Sequence, residues 1–121
     1  MIGASGDPSR PSYSVFRYLQ HHGFDCVPIN PNVRDILGVP AFRSLPEAAA
    51  ATGPFDIVDV FRRAELTEEI ARDAVAVGAG ALWLQLDVVN WESARIAAAG
   101  GLAVVMDRCP AIELRRMPRG R

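Results

Sequence analysis

The residues of this chain best suited to chemistry come first. Gly3-Ala-Ser-Gly6 runs straight into Asp7-Pro-Ser-Arg10-Pro-Ser12. Glycine lets backbone approach an anion closely, and Ser5 offers a hydroxyl. A helix opening at Pro11 would turn its positive end and its free N–H groups to the same point. Types and spacing therefore suit a phosphate. The loop is not G-x-G-x-x-G, so taken alone it fits an ordinary strand-to-helix turn equally well. Only Met1 and Ile2 precede Gly3, whereas a buried parallel strand takes about four to eight residues. A first strand that is nearly absent, or a natural protein that begins further upstream, is the expectation.

Four other places gather unusual residues. Asn30-Pro31-Asn32 closes an apolar run where a dinucleotide site would carry Asp or Glu for the ribose hydroxyl. A neutral Asn30, with Arg34 nearby, tolerates a ribose that carries a phosphate; an Asx turn before Pro31 explains it as well. Phe61-Arg62-Arg63 pairs an aromatic face with guanidinium groups that fit a base and a phosphate, or forms a solvated arginine pair. Gln85 is a polar residue inside an apolar run and is expected to point into a rim or a buried network. Met106-Asp107-Arg108-Cys109 ends the last apolar run. A thiol beside Arg108 is open to activation, although an inert small side chain is the simpler reading. Asp59 sits inside a strand pattern with no visible basic partner, and Trp83 and Trp91 read as packing residues. His21 and His22, the sole histidines, fall at the end of the first helix, where a cation is favourable, away from the rim. Cys26 and Cys109 make neither a zinc site nor a disulfide framework and read as reduced cytoplasmic thiols.

Helical patterns that alternate with short apolar runs must position these residues, which is the mark of a parallel α/β sheet. The first helix takes Pro11 in its opening turn, with Ser9 or Ser12 as cap, and Val15, Phe16 and Leu19 on one face. Strands are expected at 25–29, 39–42, 56–61, 81–86 and 102–106. Ser44 and Glu47 fit a capping box, and Asn90 a second cap. The intervening helix runs over 67–77. Ligands of such sheets bind outside the carboxyl ends of the strands. That puts Gly3–Ser5, Asn30–Pro31, Phe61–Arg62, Gln85 and Asp107–Cys109 on one rim. The chain reads as one domain over 1–114, with an arginine-rich tail over 115–121 that frays.

At 121 residues, 50% hydrophobic, 22% charged and with a net charge of -1, the chain suits a globular core. It offers no general attraction for nucleic acid or an anionic membrane. No apolar run is long enough to span a bilayer. All 13 basic residues are arginine.

Taken in order, Gly3-Ala-Ser5, Arg10-Pro-Ser12, Pro28-Ile-Asn-Pro31, Asp56 to Arg63, Ala81 to Gln85 and Val105 to Cys109 resemble the small stand-alone CoA-binding proteins. Those proteins are similar in fold to the CoA-binding domain of the succinyl-CoA synthetase alpha subunit. The resemblance implies a Rossmann-like, doubly wound parallel sheet with coenzyme A or an acyl-CoA across the strand ends. On that resemblance Gly3, Ala4 and Ser5 hold the pyrophosphate and Arg10 approaches a phosphate. Asn30 and Pro31 border the adenosine, and Phe61 and Arg62 line the other side. Gln85, Met106, Asp107, Arg108 and Cys109 face the pantetheine end. It implies a carrier, sensor or subunit without catalysis of its own, with a protein partner or a second copy as further company. The rivals are a fragment of an NAD(P)-dependent oxidoreductase, for which 121 residues leave no substrate domain, and an interaction subunit that has lost its ligand.

Overall fold

The computed structural model describes residues 1–118. Its centre is a parallel sheet of β3 (Ile57–Val60), β4 (Ala81–Leu84) and β5 (Ala103–Val105), ordered β3-β4-β5. Val58 pairs with Leu82 and Val60 with Leu84; Leu82 in turn pairs with Val104. Three single-residue parallel bridges extend this sheet: Ile2 to Val60, Ile2 to Ile29, and Ile29 to Phe42. The order across the molecule is thus Phe42, Ile29, Ile2, β3, β4, β5, the order of a doubly wound sheet with its first strand at the centre. That first strand is one bridging residue long.

Helices cover both faces. On one side α2 (Leu45–Thr52), α3 (Thr67–Ala76) and α4 (Trp91–Ala99) bury Leu45, Ala48, Ala71, Ala74 and Ala97 against Val58, Val60, Leu82 and Leu84. The alanines let α3 and α4 approach closely. Where they meet, the buried Thr67 and Ser93 hydroxyls share a 2.7 Å hydrogen bond, and the Thr67 hydroxyl donates to Ala64 O at 2.7 Å. On the other side α1 (Pro11–His21) and α5 (Pro110–Arg116) pack together through Val15, Leu19 and Ala111. Ser44 caps α2 by accepting from Glu47 N–H at 3.3 Å, and Asn90 caps α4 by accepting from Ser93 N–H at 3.0 Å.

Several expectations need correction. The cap position of α1 is Arg10, with no side-chain bond, because the Ser9 hydroxyl donates instead to Asp7 and Ser12 is buried inside the first turn. Glu47 reaches back to Arg43 N–H rather than to its own cap residue. The strand expected over 25–29 contributes only Ile29, since Pro28 lacks a donor and Ile2 presents a single partner. The strand expected over 39–42 splits. Val39–Pro40 (β2) pairs antiparallel with Asp35–Ile36 (β1) around Leu37-Gly38, and only Phe42 joins the main sheet. Both turn residues have positive φ (48° and 83°), the twist that suits a two-residue hairpin. Of the tail expected over 115–121, Arg115 and Arg116 belong to a helix that starts at Pro110. Ile112 and Leu114 pack on the α1 side, so α5 carries Arg115 and Arg116, while Arg119 and Arg121 lie outside the described residues. Trp91 is 76% exposed as the first residue of α4, not a packing residue.

The bridge at Ile2 presses Gly3 against β3. A Cβ on Gly3 would stand 2.3 Å from the Phe61 carbonyl oxygen, and φ there is +79°. Gly38 has a similar φ of +83° but open space around it. Gly3→Ala is therefore expected to cost roughly 3 kcal/mol or more. Gly38→Ala should cost about 1–2 kcal/mol. Urea denaturation midpoints of the two variants at equal m-value measure the difference.

Candidate functional site

The chain leaves strand one toward α1 on one face and leaves β3 toward α3 on the other. A crevice opens between these turns at the carboxyl ends of the strands, where ligands of such sheets bind. It forms a cavity of about 1210 Å³. Gly3, Ser5, Arg10, Asn30, Phe61, Arg62, Gln85 and Cys109 all line it, although they come from six separate stretches of sequence.

Each owes its place to a local cause. The Ser5 hydroxyl accepts from Asp7 N–H at 3.0 Å, and the Asp7 carboxylate accepts from the N–H and hydroxyl of Ser9 at 2.9 and 2.8 Å. The Ser9 bonds hold the Asp7 carboxyl below its ordinary range. This turn carries Arg10 to the rim at the start of α1. The Asn30 amide donates to Ala4 O at 2.8 Å while its oxygen accepts from Asn32 N–H at 2.9 Å. The Asx turn is thus real, and the same side chain fastens the second strand end to the first loop. Cys109 is buried at the start of α5, among Val15, Leu19 and Ala111.

The other sequence-identified positions lie elsewhere. Ala4 is wholly buried with Phe16 and Ile36, so its side chain serves packing. Pro31 is absent from the cavity lining, and Met106 packs against the core. Asp107, at φ 57°, accepts from Asp87 N–H at 2.7 Å. Arg108 folds back: its guanidinium donates to Asp107 O at 2.7 Å, and its own carbonyl accepts from the Trp83 indole at 2.7 Å. These bonds turn the 106–108 segment away from the crevice and stitch it to β4 and the loop after it.

The structure adds lining residues with no local signal in the sequence. Tyr18 on α1 and Arg115 on α5 meet across the helix pair, with the guanidinium 4.9 Å from the ring centroid. Asp87 and Val88 also line the cavity, as does Arg63 from the arginine pair already read in the sequence. Four arginines (Arg10, Arg62, Arg63, Arg115) thus face two aspartates, Asp7 and Asp87. The ion pairs among the described residues are Arg95–Glu92, Arg108–Asp107 and Arg116–Glu113, so none involves those four arginines.

Gln85 is the floor of the crevice. One arm of its amide lies 2.8 Å from Asp59 Oδ1 and 3.3 Å from Oδ2; facing an ionised carboxylate, that arm is the nitrogen, which donates where the oxygen could not. Asp59 points to the opposite side of that floor, into a second cavity of about 440 Å³ lined also by Met1, Cys26 and Trp83. Burial raises the Asp59 carboxyl from 3.8 to about 7, against the opposing pull of the Met1 amino group and the Val60 N–H. The same burial lowers the Met1 amino group and raises the Cys26 thiol.

A family described as a CoA binding domain matches residues 1–115. The chain is 37% identical over 109 residues to the uncharacterized protein YneT of Bacillus subtilis (strain 168), covering 90% of this chain and 78% of that protein. It superposes on a hypothetical protein from Pyrococcus horikoshii OT3 with a TM-score of 0.89 at 33% identity, over 95% of this chain and 79% of the other. A Thermus thermophilus protein gives a TM-score of 0.88 at 34% identity, over 95% and 85% of the two chains.

Asp59 makes stability depend on pH. The folded carboxyl keeps its proton to about pH 7, whereas an unfolded one releases it near its ordinary 3.8. Between those values the folded state binds more protons, so the stability Asp59 allows is greatest at low pH, declines as pH rises and is level above about 7. Asp59→Asn removes this titration. The variant is expected to gain on the parent as pH rises through that window, by roughly 4 kcal/mol at most at pH 8. Denaturation at a series of pH values checks the sign and the window.

Proposed function

We propose, for a chain that belongs to the CoA-binding domain family, that the crevice holds coenzyme A or an acyl-CoA and that the protein acts as a carrier, sensor or subunit with no catalysis of its own. The observation that carries this reading is the set of four arginines lining one cavity with no carboxylate ion-paired to them among the described residues. Coenzyme A brings a pyrophosphate and a ribose phosphate to be neutralised. Guanidinium groups meet such oxygens two bonds at a time and stay charged at every biological pH.

The 3–5 loop and the opening of α1 suit the pyrophosphate, with Arg10 beside it. A neutral Asn30 accepts a phosphorylated ribose, with Phe61 and Arg62 opposite. Gln85 and Cys109 take the pantetheine end. Met106, Asp107 and Arg108 act through the loop they brace rather than by contact. The buried Cys109 thiol, held in an apolar cluster, serves packing at that end.

Calorimetric titration tests this. Coenzyme A is expected to bind, dephospho-CoA more weakly and NAD not measurably. Arg10→Ala and Arg62→Ala should each weaken coenzyme A binding about tenfold. Unchanged affinity in both variants would remove the assigned phosphate contacts, and preference for NAD would transfer the crevice to a nicotinamide cofactor.

A further inference from the structure

Asp59 is not among the residues that line the crevice, but its carboxyl lies beside Gln85, which does. Both side chains are almost fully buried, at 6% and 5% exposure. We infer that Asp59 is a positioning residue that decides which end of the Gln85 amide the crevice meets. An ionised Asp59 holds the amide nitrogen and leaves the amide oxygen to the ligand. A protonated Asp59 donates to the oxygen and turns the nitrogen outward. The inference rests on the coenzyme A reading and names what the floor of that site recognises: an amide N–H of the pantetheine arm when Asp59 is ionised.

The argument is one of donors and acceptors. A carboxylate only accepts, so at 2.8 Å from Oδ1 the facing atom must be the amide nitrogen. A carboxylic acid brings a proton of its own, and the facing atom then becomes the oxygen. The two amide ends are nearly the same size, so either state fits the same packing with a half-turn of the amide. Asp59 is placed to change state because it is buried yet poised near neutrality. Its charged and titratable neighbours come from every side. The Met1 amino group stands on strand one, where it donates to Val27 O at 2.8 Å. Cys26 and Asp25 lie on the segment before Ile29, and Asp56 and Glu113 line the same lower cavity. From β4 the neighbour is Trp83 and from α1 Leu19, neither of which carries charge. The Asp59 carboxylate appears in no ion pair among the described residues, so its hydrogen bonding to Gln85 governs the amide.

The test follows affinity against pH around 7 for coenzyme A, pantetheine and adenosine 3′,5′-bisphosphate, in the parent protein and in Asp59→Asn. In the parent, coenzyme A and pantetheine should lose about tenfold in affinity on acidification, the worth of one hydrogen bond exchanged for a donor–donor clash. In Asp59→Asn that loss should vanish, leaving only the titration of the ligand's own phosphates. Adenosine 3′,5′-bisphosphate, which has no pantetheine arm, should give one profile in both proteins. Equal profiles for coenzyme A in parent and variant would overturn the positioning role while leaving the coenzyme A reading intact. No binding of coenzyme A at any pH would overturn both. NMR of the parent protein gives a measurement independent of the variant's folding. The Gln85 side-chain amide signals should move with the Asp59 carboxyl carbon at a shared midpoint, and amide signals that stay still while Asp59 titrates would overturn the inference.

Discussion

The two halves of the sheet are joined by a strand one residue long. Ile2 donates to Asp59 O at 2.8 Å and accepts from Phe61 N–H at 2.9 Å, while Met1 O and Gly3 N–H bond the two sides of Ile29 at 2.9 and 3.0 Å. Four backbone bonds, each worth about 1 kcal/mol net, join the Ile29 side of the sheet to β3. The same contact sets the close approach of Gly3 to the Phe61 carbonyl. The crevice has its width because those two turns are pinned together at their base and diverge above it. A side chain at Gly3 would strike the joint itself.

A second fastening makes the rim rigid where the sheet alone would not. Asn30 ties its own turn to the first loop through Ala4 O. Asp107 and the Trp83 indole tie the last strand end to the loop and strand beside it. The polar side chains at the strand ends thus divide their work. Some present atoms to the cavity, and others spend their hydrogen bonds holding the presenters in place.

That division marks how far sequence reading reaches. β3, β4, β5, α1, α3 and the caps Ser44 and Asn90 were legible, because apolar period and capping chemistry are local properties. The β1–β2 hairpin was not. Its turn is Leu37-Gly38, and leucine at positive φ gives no warning in a pattern search. The rule that ligands meet strand carboxyl ends brought Gly3, Ser5, Asn30, Phe61, Arg62, Gln85 and Cys109 to one cavity, and Arg10, which the family resemblance supplied, lines it too. It says nothing about which way a side chain leaves the backbone. Ala4 therefore turns into the core and Arg108 back on its own loop. Arg115 and Tyr18 arrive from helices far apart in the chain, and only tertiary packing makes them neighbours. Asp59 and Gln85 were each visible as polar residues in apolar strands, while their pairing depends on the β3–β4 register.

The cations around the crevice are all guanidinium groups, and the whole chain contains no lysine. A guanidinium binds phosphate yet, being always protonated, is no nucleophile. An activated acyl group carried into this cavity would meet no side-chain amine to attack it. The side chains suited to holding a polyanion there are thus not amines that could take up what it carries.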